Sequence, residues 1–261
     1  MRLLALALAG CASGVGASPP DAVFSMIDAA SHSDAAATLP DAAANAPDAP
    51  PIPIDAASVV DAARDPLIDD LEDGDGWIRM TDGRAGAWFT YNDGTAGGVQ
   101  MPSPTGDFVP AMGGAGGSRF CAHTSGHGFT SWGAGMGFDL ATPAIPDGGV
   151  LVRGQFDASG YSGIAFAAKG NVAVRVQVVT AAVEPPSSGG TCTDGALCED
   201  AHGADVTLSA TWTQVMIPFS QLAQSGWGRA FAFDARTLLG VQFQVAEGLT
   251  FDVSVDDVRF Y

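Results

Sequence analysis

Short runs of alternating apolar and polar residues, separated by turns rich in Gly, Asn, Asp and Pro, dominate the chain from residue 67 onwards. The clearest runs are residues 172–179, 241–245, 250–256 and 258–260. A period of two over such short stretches predicts half-buried antiparallel strands. Strands do not alternate with long helical patterns, so a βαβ fold is excluded. We therefore predict that residues 67–261 form an all-β domain, an antiparallel β-sandwich of the jelly-roll type.

Two of these predicted strands carry long polar side chains on one face. Arg175 and Gln177 share the polar face of one strand, and Gln242 and Gln244 share that of another. If the two strands lie side by side, four hydrogen-bonding side chains converge on one sheet surface. The alternative for each residue is a solvated outer face. Convergence of both pairs favours a binding surface for a polar ligand.

The first eleven residues have the pattern of an export signal. Arg2 precedes an apolar run over residues 3–9, far shorter than the ~20 residues that span a bilayer. The run ends in the sequence Leu-Ala-Gly-Cys, which resembles a bacterial lipobox and implies a diacylglyceryl anchor on Cys11. An ordinary secretory signal with a chance cysteine is the alternative. Because Ala12 rather than aspartate follows the cysteine, we expect an outer-membrane or cell-surface lipoprotein, with secretion as the alternative.

Residues 12–66 differ from the rest of the chain in composition. They hold 17 Ala, 8 Asp and 8 Pro, with Phe24 as the only aromatic residue. Asp-Ala pairs recur at intervals of six or seven residues, but the prolines would break a helix and no paired apolar stripe accompanies them. Too little apolar bulk is present to offset the chain entropy, so we predict a disordered tether. As a random coil it would span about 40 Å.

Charge excludes two classes of function. The chain has 29 acidic and 11 basic residues, a formal net charge of −18, and Lys169 is its only lysine. Nucleic-acid binding requires clustered Lys and Arg to neutralise phosphates, so it is excluded. Docking of the domain on anionic lipid headgroups is disfavoured for the same reason.

The cysteines indicate an oxidising compartment. Cys192 and Cys198 bracket five residues of a loop rich in Pro, Ser and Gly, where an exported chain can keep a disulfide. Free thiols are the alternative; the spacing does not match a zinc site, since a second cysteine pair is missing. Cys121 lies in a strand-like segment and is predicted to be a buried small hydrophobic residue rather than a nucleophile.

Three sequence motifs follow one another along the domain. They are Ile-Asp-Asp-Leu-Glu-Asp-Gly at 68–74, Trp-Thr-Gln-Val-Met-Ile-Pro-Phe-Ser-Gln-Leu at 212–222, and Val-Asp-Asp-Val-Arg-Phe at 255–260. In this order they resemble the family 11 carbohydrate-binding modules and the related complex I intermediate-associated protein 30 family, both within the galactose-binding-like jelly rolls. The resemblance implies a concave sheet that binds a β-glucan chain. It also places Arg175 where the modules carry an arginine, and Gln242 where they carry a ligand-contacting histidine.

Sugars are bound by aromatic faces that pack on C–H-rich rings and by polar groups that bond hydroxyls. A tryptophan in a β-sandwich is more often a core residue than a ligand platform. His123 and His127 are separated by Thr-Ser-Gly, a loop-like sequence. They are better sugar contacts than metal ligands, because a zinc pair at this spacing would normally lie on one helix face. The further candidate carbohydrate-binding residues are Trp88, Tyr91, His123, His127, Trp132 and Trp227.

A calcium site is the one metal site that the sequence predicts. Acidic residues cluster in the first predicted strand and in the last, which would meet if these strands pair. Calcium takes six to eight oxygen ligands, and the resemblance implies that it staples the terminal strands. A solvated acidic turn is the alternative. The expected ligands are Asp70, Glu72, Asp73 and Asp256.

Motifs for catalysis are missing from the sequence. Neither a nucleophile elbow on a strand–helix turn nor a phosphate-binding glycine loop with lysine occurs. We therefore expect a non-enzymatic, monomeric lipoprotein that binds a polysaccharide or oligosaccharide. The alternatives are a protein-interaction or assembly module of the same fold, and a polysaccharide hydrolase with an unrecognised pair of carboxylates.

Overall fold

The computed structural model describes residues 64–144 and 152–261. The predicted signal with Cys11, and the predicted tether up to residue 63, lie outside these residues. In the part of the chain described, no helix is long and apolar enough to cross a membrane. The strands are β1 (Leu67–Asp69), β2 (Trp88–Asn92), β3 (Val99–Met101), β4 (Ala111–Met112), β5 (Phe120–His127), β6 (Ala134–Asp139), β7 (Ala141–Ala144), β8 (Val152–Gly154), β9 (Gly163–Gly170), β10 (Ala173–Thr180), β11 (His202–Thr207), β12 (Thr213–Pro218), β13 (Leu238–Val245) and β14 (Phe251–Phe260).

Within the described residues, four single 3₁₀ turns lie in the connections between the strands. They span Pro186–Ser188, Gly195–Leu197, Phe219–Gln221 and Ala235–Thr237.

Two antiparallel sheets form the domain. One has five strands in the order β11-β10-β13-β6-β2, and the other has the path β12-β9-β14-β5-β3, with β1 added beside β14 and β4 beside β5. Strands β7 and β8 form a separate pair. Non-consecutive strands neighbour one another in both sheets, as in Greek-key sandwiches. The predicted all-β sandwich is confirmed, and so is the pairing of the first strand with the last.

The apolar halves of the alternating strands build the core. Val176 of β10 and Phe243 of β13 are completely buried, and they pack in one cluster with Phe166 of β9 and Val255 of β14 from the other sheet. Each such side chain contributes about 1.5–3 kcal/mol on burial. The arginine and glutamine positions of β10 and β13 point away from this core and are only partly buried, so they remain available to a ligand.

Trp88 belongs to the core and not to a ligand site. Only 3% of the residue is exposed, its ring packs against Phe138 at 4.7 Å between centroids, and its Nε1–H donates to Asp69 Oδ2 at 2.7 Å. The prediction of Trp88 as a sugar contact is therefore wrong. The reason is the pleat of β2, which turns residues 88 and 91 to opposite faces, so that Tyr91 points outward where Trp88 points inward.

Buried aspartates lie at the join between the terminal strands and the core. Asp69 accepts hydrogen bonds from Trp88 and from the Leu71 amide, and Asp256 accepts from the Ala115 amide at 2.7 Å. Burial raises the pKa of Asp69 and of Asp256 to about 6, although these hydrogen bonds oppose the shift. Ionised carboxylates here cost stability at neutral pH.

We expect the domain to become more stable as the pH is lowered from 7.5 to 5.0. The folded-state pKa values of Asp69 and Asp256 exceed the ordinary value of 3.8, so the folded protein binds more protons in this range than the unfolded chain does. His202 acts in the opposite direction because burial lowers its pKa, but it is a single group. Thermal unfolding at the two pH values measures the effect, with about 2–4 °C for each kcal/mol gained. A melting temperature that falls over this range would contradict the prediction.

Candidate functional site

The outward face of the five-stranded sheet carries two ordered rows of residues that run across the strands. In the register of the sheet, each member of a row is directly opposite its neighbour on the next strand. Since directly opposite residues point to the same face, each row is a continuous strip of surface. The first row reads, from β11 to β2, Asp205, Arg175, Gln244, Gly135 and Tyr91.

The second row lies on the same face, two residues away from the first row on each strand. It places two glutamines side by side at its centre and a glycine on each side of them. The sequence-based expectation that the polar faces of β10 and β13 adjoin is therefore met by the register. The second row reads Gly203, Gln177, Gln242, Gly137 and Phe89.

The glycines of β6 form the floor of a depression. A Cβ atom added to Gly135 would lie 2.6 Å from the Phe243 carbonyl oxygen and 2.6 Å from the Tyr91 hydroxyl oxygen. A Cβ added to Gly137 would lie 2.6 Å from the Val241 carbonyl oxygen. Real Cβ atoms do not make such contacts, so these positions admit only glycine without a shift of the sheet. The missing side chains leave the surface low at this strand and let the Tyr91 side chain fold across it.

Aromatic rings cover the β2 edge of the depression. Tyr91 stacks on Trp132 with ring centroids 6.0 Å apart and planes 28° apart, and Phe89 lies 6.0 Å from Tyr91. Burial of the Tyr91 hydroxyl raises the pKa of Tyr91 far above its usual value, and the oxygen has no hydrogen-bond partner among the described residues. Tyr91 thus presents mainly its ring to this surface, while Trp132 is 43% exposed.

A second tryptophan reaches the depression from the opposite edge. Trp227 is 55% exposed and lies in the connection after β12, next to β11, where Ala223 forms a bridge with Gly203. Arg175 extends towards this connection: it donates from Nη2 to the Ala223 carbonyl oxygen at 2.6 Å and pairs with Asp205 at 3.5 Å. The guanidinium therefore connects the first row to the segment that carries Trp227.

These elements enclose a groove of about 970 Å³. Its width can be gauged from the five strands that it crosses: at about 4.8 Å between neighbours, β11 and β2 lie about 19 Å apart. Seven of the ten residues predicted to contact a sugar line it, and the structure brings them together from three strands and two connections. They are Arg175, Gln177, Gln242, Gln244, Tyr91, Trp132 and Trp227.

One end of the groove is charged. Arg153 lies between two carboxylates: it forms a close hydrogen-bonded ion pair with Glu184, and its Nη1 is 3.9 Å from Asp139 Oδ1. Burial raises the pKa of Asp139 to about 6 and also raises that of Glu184, while Arg153 opposes both shifts. Neither carboxylate was among the residues predicted from sequence.

The two predicted histidines lie elsewhere. His123 and His127 belong to β5, a strand of the other sheet, and neither lines the groove. His123 instead approaches Asp252 of the neighbouring strand β14, with 3.3 Å between Nε2 and Oδ1. Their assignment to the same sugar site as Tyr91 is wrong, because neighbourhood along the chain does not reveal which sheet a strand joins.

The four carboxylates predicted to bind calcium do not converge. In residues 64–144 and 152–261, no group of three or more His, Cys, Asp and Glu side chains is placed to hold a metal ion. Glu72 accepts from the amides of Arg119 and Phe120, and Asp256 from that of Ala115, so backbone donors already occupy these oxygens. The four predicted ligands therefore form no such group among the described residues, and calcium stays a prediction of the sequence resemblance.

Both cysteine predictions are confirmed. Cys192 and Cys198 form a disulfide, and Cys121 is a buried free cysteine. The disulfide closes the connection between β10 and β11, which also supplies Glu184 to the groove. This connection contacts the segment of Trp227, since the Arg229 amide donates to the Leu197 carbonyl oxygen at 2.9 Å.

Comparison with known proteins gives one curated relative and a set of solved structures. The chain is 28% identical over 185 residues to Endoglucanase 3 of Fibrobacter succinogenes; the match covers 68% of this chain and 24% of the relative. The chain therefore spans about a quarter of the length of that enzyme. No protein-family model matches the chain.

Several solved carbohydrate-binding modules are similar to the chain. A family 11 module from Clostridium thermocellum, solved in complex with a β-1,3-1,4-mixed-linked tetrasaccharide, is 15% identical, with 75% of this chain and 94% of the module covered and a TM-score of 0.45. A family 30 module of a cellulosomal cellulase of the same organism is 14% identical, with 76% and 93% covered and a TM-score of 0.39.

Sequence reasoning missed Phe89, the glycine floor and the charged end. The alternation of β2 that turns Trp88 inward also identifies Phe89, because Phe89 is two residues from Tyr91 and therefore shares its face. Gly135 and Gly137 also alternate with the large core residues Met136 and Phe138 along β6. Arg153, Asp139 and Glu184 carried no such signal, because they come from three separate segments that meet only in the folded protein.

We expect Gly135→Ala to destabilise the domain by about 1–3 kcal/mol, because the added methyl group must displace the Tyr91 side chain or the β13 backbone. Urea unfolding measures the difference. Gly160→Ala is the matched control, since a Cβ at Gly160 meets nothing within 4 Å. Equal stability of the Gly135 variant and the control would show that the floor of the groove tolerates a side chain.

Proposed function

We propose that this protein is a non-catalytic, monomeric carbohydrate-binding protein and that the groove on the five-stranded sheet holds a polysaccharide chain. One observation carries the proposal: two exposed tryptophans flank a sheet surface whose central positions are amides and a guanidinium. Aromatic faces pack on the C–H faces of pyranose rings, while Gln and Arg groups bond hydroxyl groups. The glycine floor gives a polymer room to lie flat across the strands.

The charges of the groove favour a neutral glycan. Five acidic residues line it against two arginines, and each arginine already has a carboxylate partner: Asp205 for Arg175, and Glu184 for Arg153. A uronate or sulfated polymer would meet uncompensated negative charge. Among neutral polymers we propose a β-glucan, in keeping with the names of the endoglucanase relative and of the glucan-bound module.

The tether is the second part of the proposal. The Cys11 lipobox and the Asp-rich, Pro-rich segment that follows it would hold the domain away from an outer membrane and keep a bound polymer near the cell surface. This part rests on the sequence of residues 1–66 alone.

A hydrolase is the second candidate function. Asp139 and Glu184 line one groove and both have a raised pKa, which is the property of a general acid in glycoside hydrolysis. Arg153 lies between them and pairs with both, an arrangement that supports an ion-pair role. Release of reducing ends from a bound glucan, abolished by Glu184→Gln, would replace the first proposal with this one.

We expect Trp227→Ala and Gln242→Ala each to weaken binding of a soluble mixed-linked β-glucan about 5- to 20-fold, because each removes about 1–2 kcal/mol of stacking or hydrogen bonding. Affinity electrophoresis followed by titration calorimetry measures the change. Trp77→Ala is the matched control: Trp77 is 50% exposed but does not line the groove, so its loss should leave the affinity unchanged.

Two results would overturn the proposal. One is a wild-type chain that retains no neutral glucan at millimolar concentration; if a protein partner is captured through the same face instead, an assembly role replaces it. The other is equal loss of affinity in the Trp77 control and in the groove variants, which would place the glucan elsewhere.

We expect Cys11→Ser to abolish membrane association of the chain in a Gram-negative host, because the thiol is the site of diacylglyceryl transfer. Membrane fractionation together with mass spectrometry of the mature N-terminus measures this. Cys121→Ser is the control, since Cys121 is buried in the domain. A Cys11→Ser protein that still carries a lipid mass would contradict the lipobox assignment.

A further inference from the structure

The two exposed tryptophans of the groove lie on connections of the same construction. Each is followed by a glycine, Gly133 after Trp132 and Gly228 after Trp227. Neither indole is held by the core, since both are about half exposed. Trp132 also stacks on Tyr91, but the backbone that carries each ring must be held by another group.

In the first connection the fixing group is the carboxylate of Asp93. This residue directly follows β2, and its Oδ2 accepts from the amides of Ser131, Trp132 and Gly133 at 2.9, 3.1 and 3.0 Å. Its Oδ1 accepts from the Thr95 amide at 2.9 Å. Desolvation alone would raise the pKa of Asp93, but these hydrogen bonds lower it well below its usual value, so the group stays ionised.

In the second connection the fixing group is the carboxylate of Asp200. It is buried just after the disulfide, and its Oδ1 accepts from the Ser225 amide at 2.9 Å. Its Oδ2 accepts from the amides of Gly226 and Gly228, the two neighbours of Trp227, at 2.8 and 3.1 Å. A Cβ at Gly228 would lie 2.5 Å from the Asp200 Cβ, so the close approach requires glycine there.

We propose that Asp93 and Asp200 are positioning residues for glycan binding, each setting the place of one tryptophan at opposite edges of the groove. The inference rests on the proposed function for its effect on affinity. Asp93 acts through Trp132 and Asp200 through Trp227; neither lines the groove itself.

The sheet braces each connection from its own side. Gln244 donates from Nε2 to the Trp132 carbonyl oxygen at 3.0 Å, and Arg175 donates to the carbonyl oxygen of Ala223, which precedes Trp227. The backbone of each connection is thus held on one side by a carboxylate and on the other by a polar residue of the groove. Preorganisation of this kind lowers the entropy lost when a ring is immobilised on a ligand.

Only a carboxylate can perform this role. Both of its oxygens accept, and in Asp93 as in Asp200 both oxygens face backbone N–H groups. An asparagine of the same shape would direct its NH₂ group at an amide donor in either orientation. Asp→Asn is therefore an isosteric change that releases the connection.

Double-mutant cycles on the full chain test whether each aspartate acts on glycan binding through its own tryptophan. We expect Asp93→Asn and Asp200→Asn each to weaken binding of the soluble mixed-linked glucan about 3- to 10-fold. In a Trp132→Ala background Asp93→Asn should have little further effect, whereas in a Trp227→Ala background its effect should persist in full. Asp200→Asn should show the reverse pattern. Asp107→Asn, at an exposed position outside the groove, is the control.

A second readout needs no glycan. ¹⁵N relaxation resolves the indole N–H of each tryptophan, and Trp132→Phe and Trp227→Phe identify two of the signals. Asp93→Asn should increase the mobility of the Trp132 indole alone, and Asp200→Asn that of the Trp227 indole alone. If an asparagine variant fails to fold, Asp93→Glu or Asp200→Glu, which keeps the charge but moves the oxygens, replaces it.

The outcomes separate the two proposals. A wild-type chain that binds glucan, with losses that simply add in every cycle, overturns the positioning role and leaves the groove as the binding site. A wild-type chain that binds no glycan overturns the proposed function. In that case, unchanged indole mobility in the asparagine variants overturns the positioning role as well, and selective loosening supports it.

Discussion

The register between β10 and β13 is the constraint on which the groove depends. Residues on a strand alternate between faces, so a shift of one residue would turn Val176 outward and Arg175 and Gln177 into the core. Burying an unpaired guanidinium there would cost far more than a single mismatched contact. The hydrophobic core therefore fixes, to the residue, which polar groups the outer face displays and in what order.

This arrangement separates stability from recognition. The inward valines and phenylalanines of the five-stranded sheet pack against the other sheet, and the outward residues of the two rows are not part of this core. The groove can consequently carry glycines, amides and aromatic rings without weakening the core. Its two exposed tryptophans are positioned by two carboxylates, each of which accepts hydrogen bonds from backbone amides of the connection that carries the tryptophan. The edges of the site are therefore held by hydrogen bonds rather than by packing.

The same separation explains which predictions from the sequence succeeded. Arg175, Gln177, Gln242 and Gln244 lie side by side on one face as expected, because alternation reports the face of a strand. Trp88 lies in the core because it is three residues from Tyr91 on β2 and therefore points to the opposite face. His123 and His127 were misassigned for a different reason: periodicity says which face a residue occupies on its strand, but not which of two sheets contains that strand.

Local composition, spacing and parity suffice to predict the all-β class, the disulfide and the polar faces of two strands. The folded structure is needed to show that Tyr91, Trp132 and Trp227 share one groove with these faces. It is also needed to show that Asp93 and Asp200 bond the connections that carry the two tryptophans. These residues are joined by strand order and by bonds between distant segments. Local pattern contains no information about either, because sheet order is set by the packing of the whole chain.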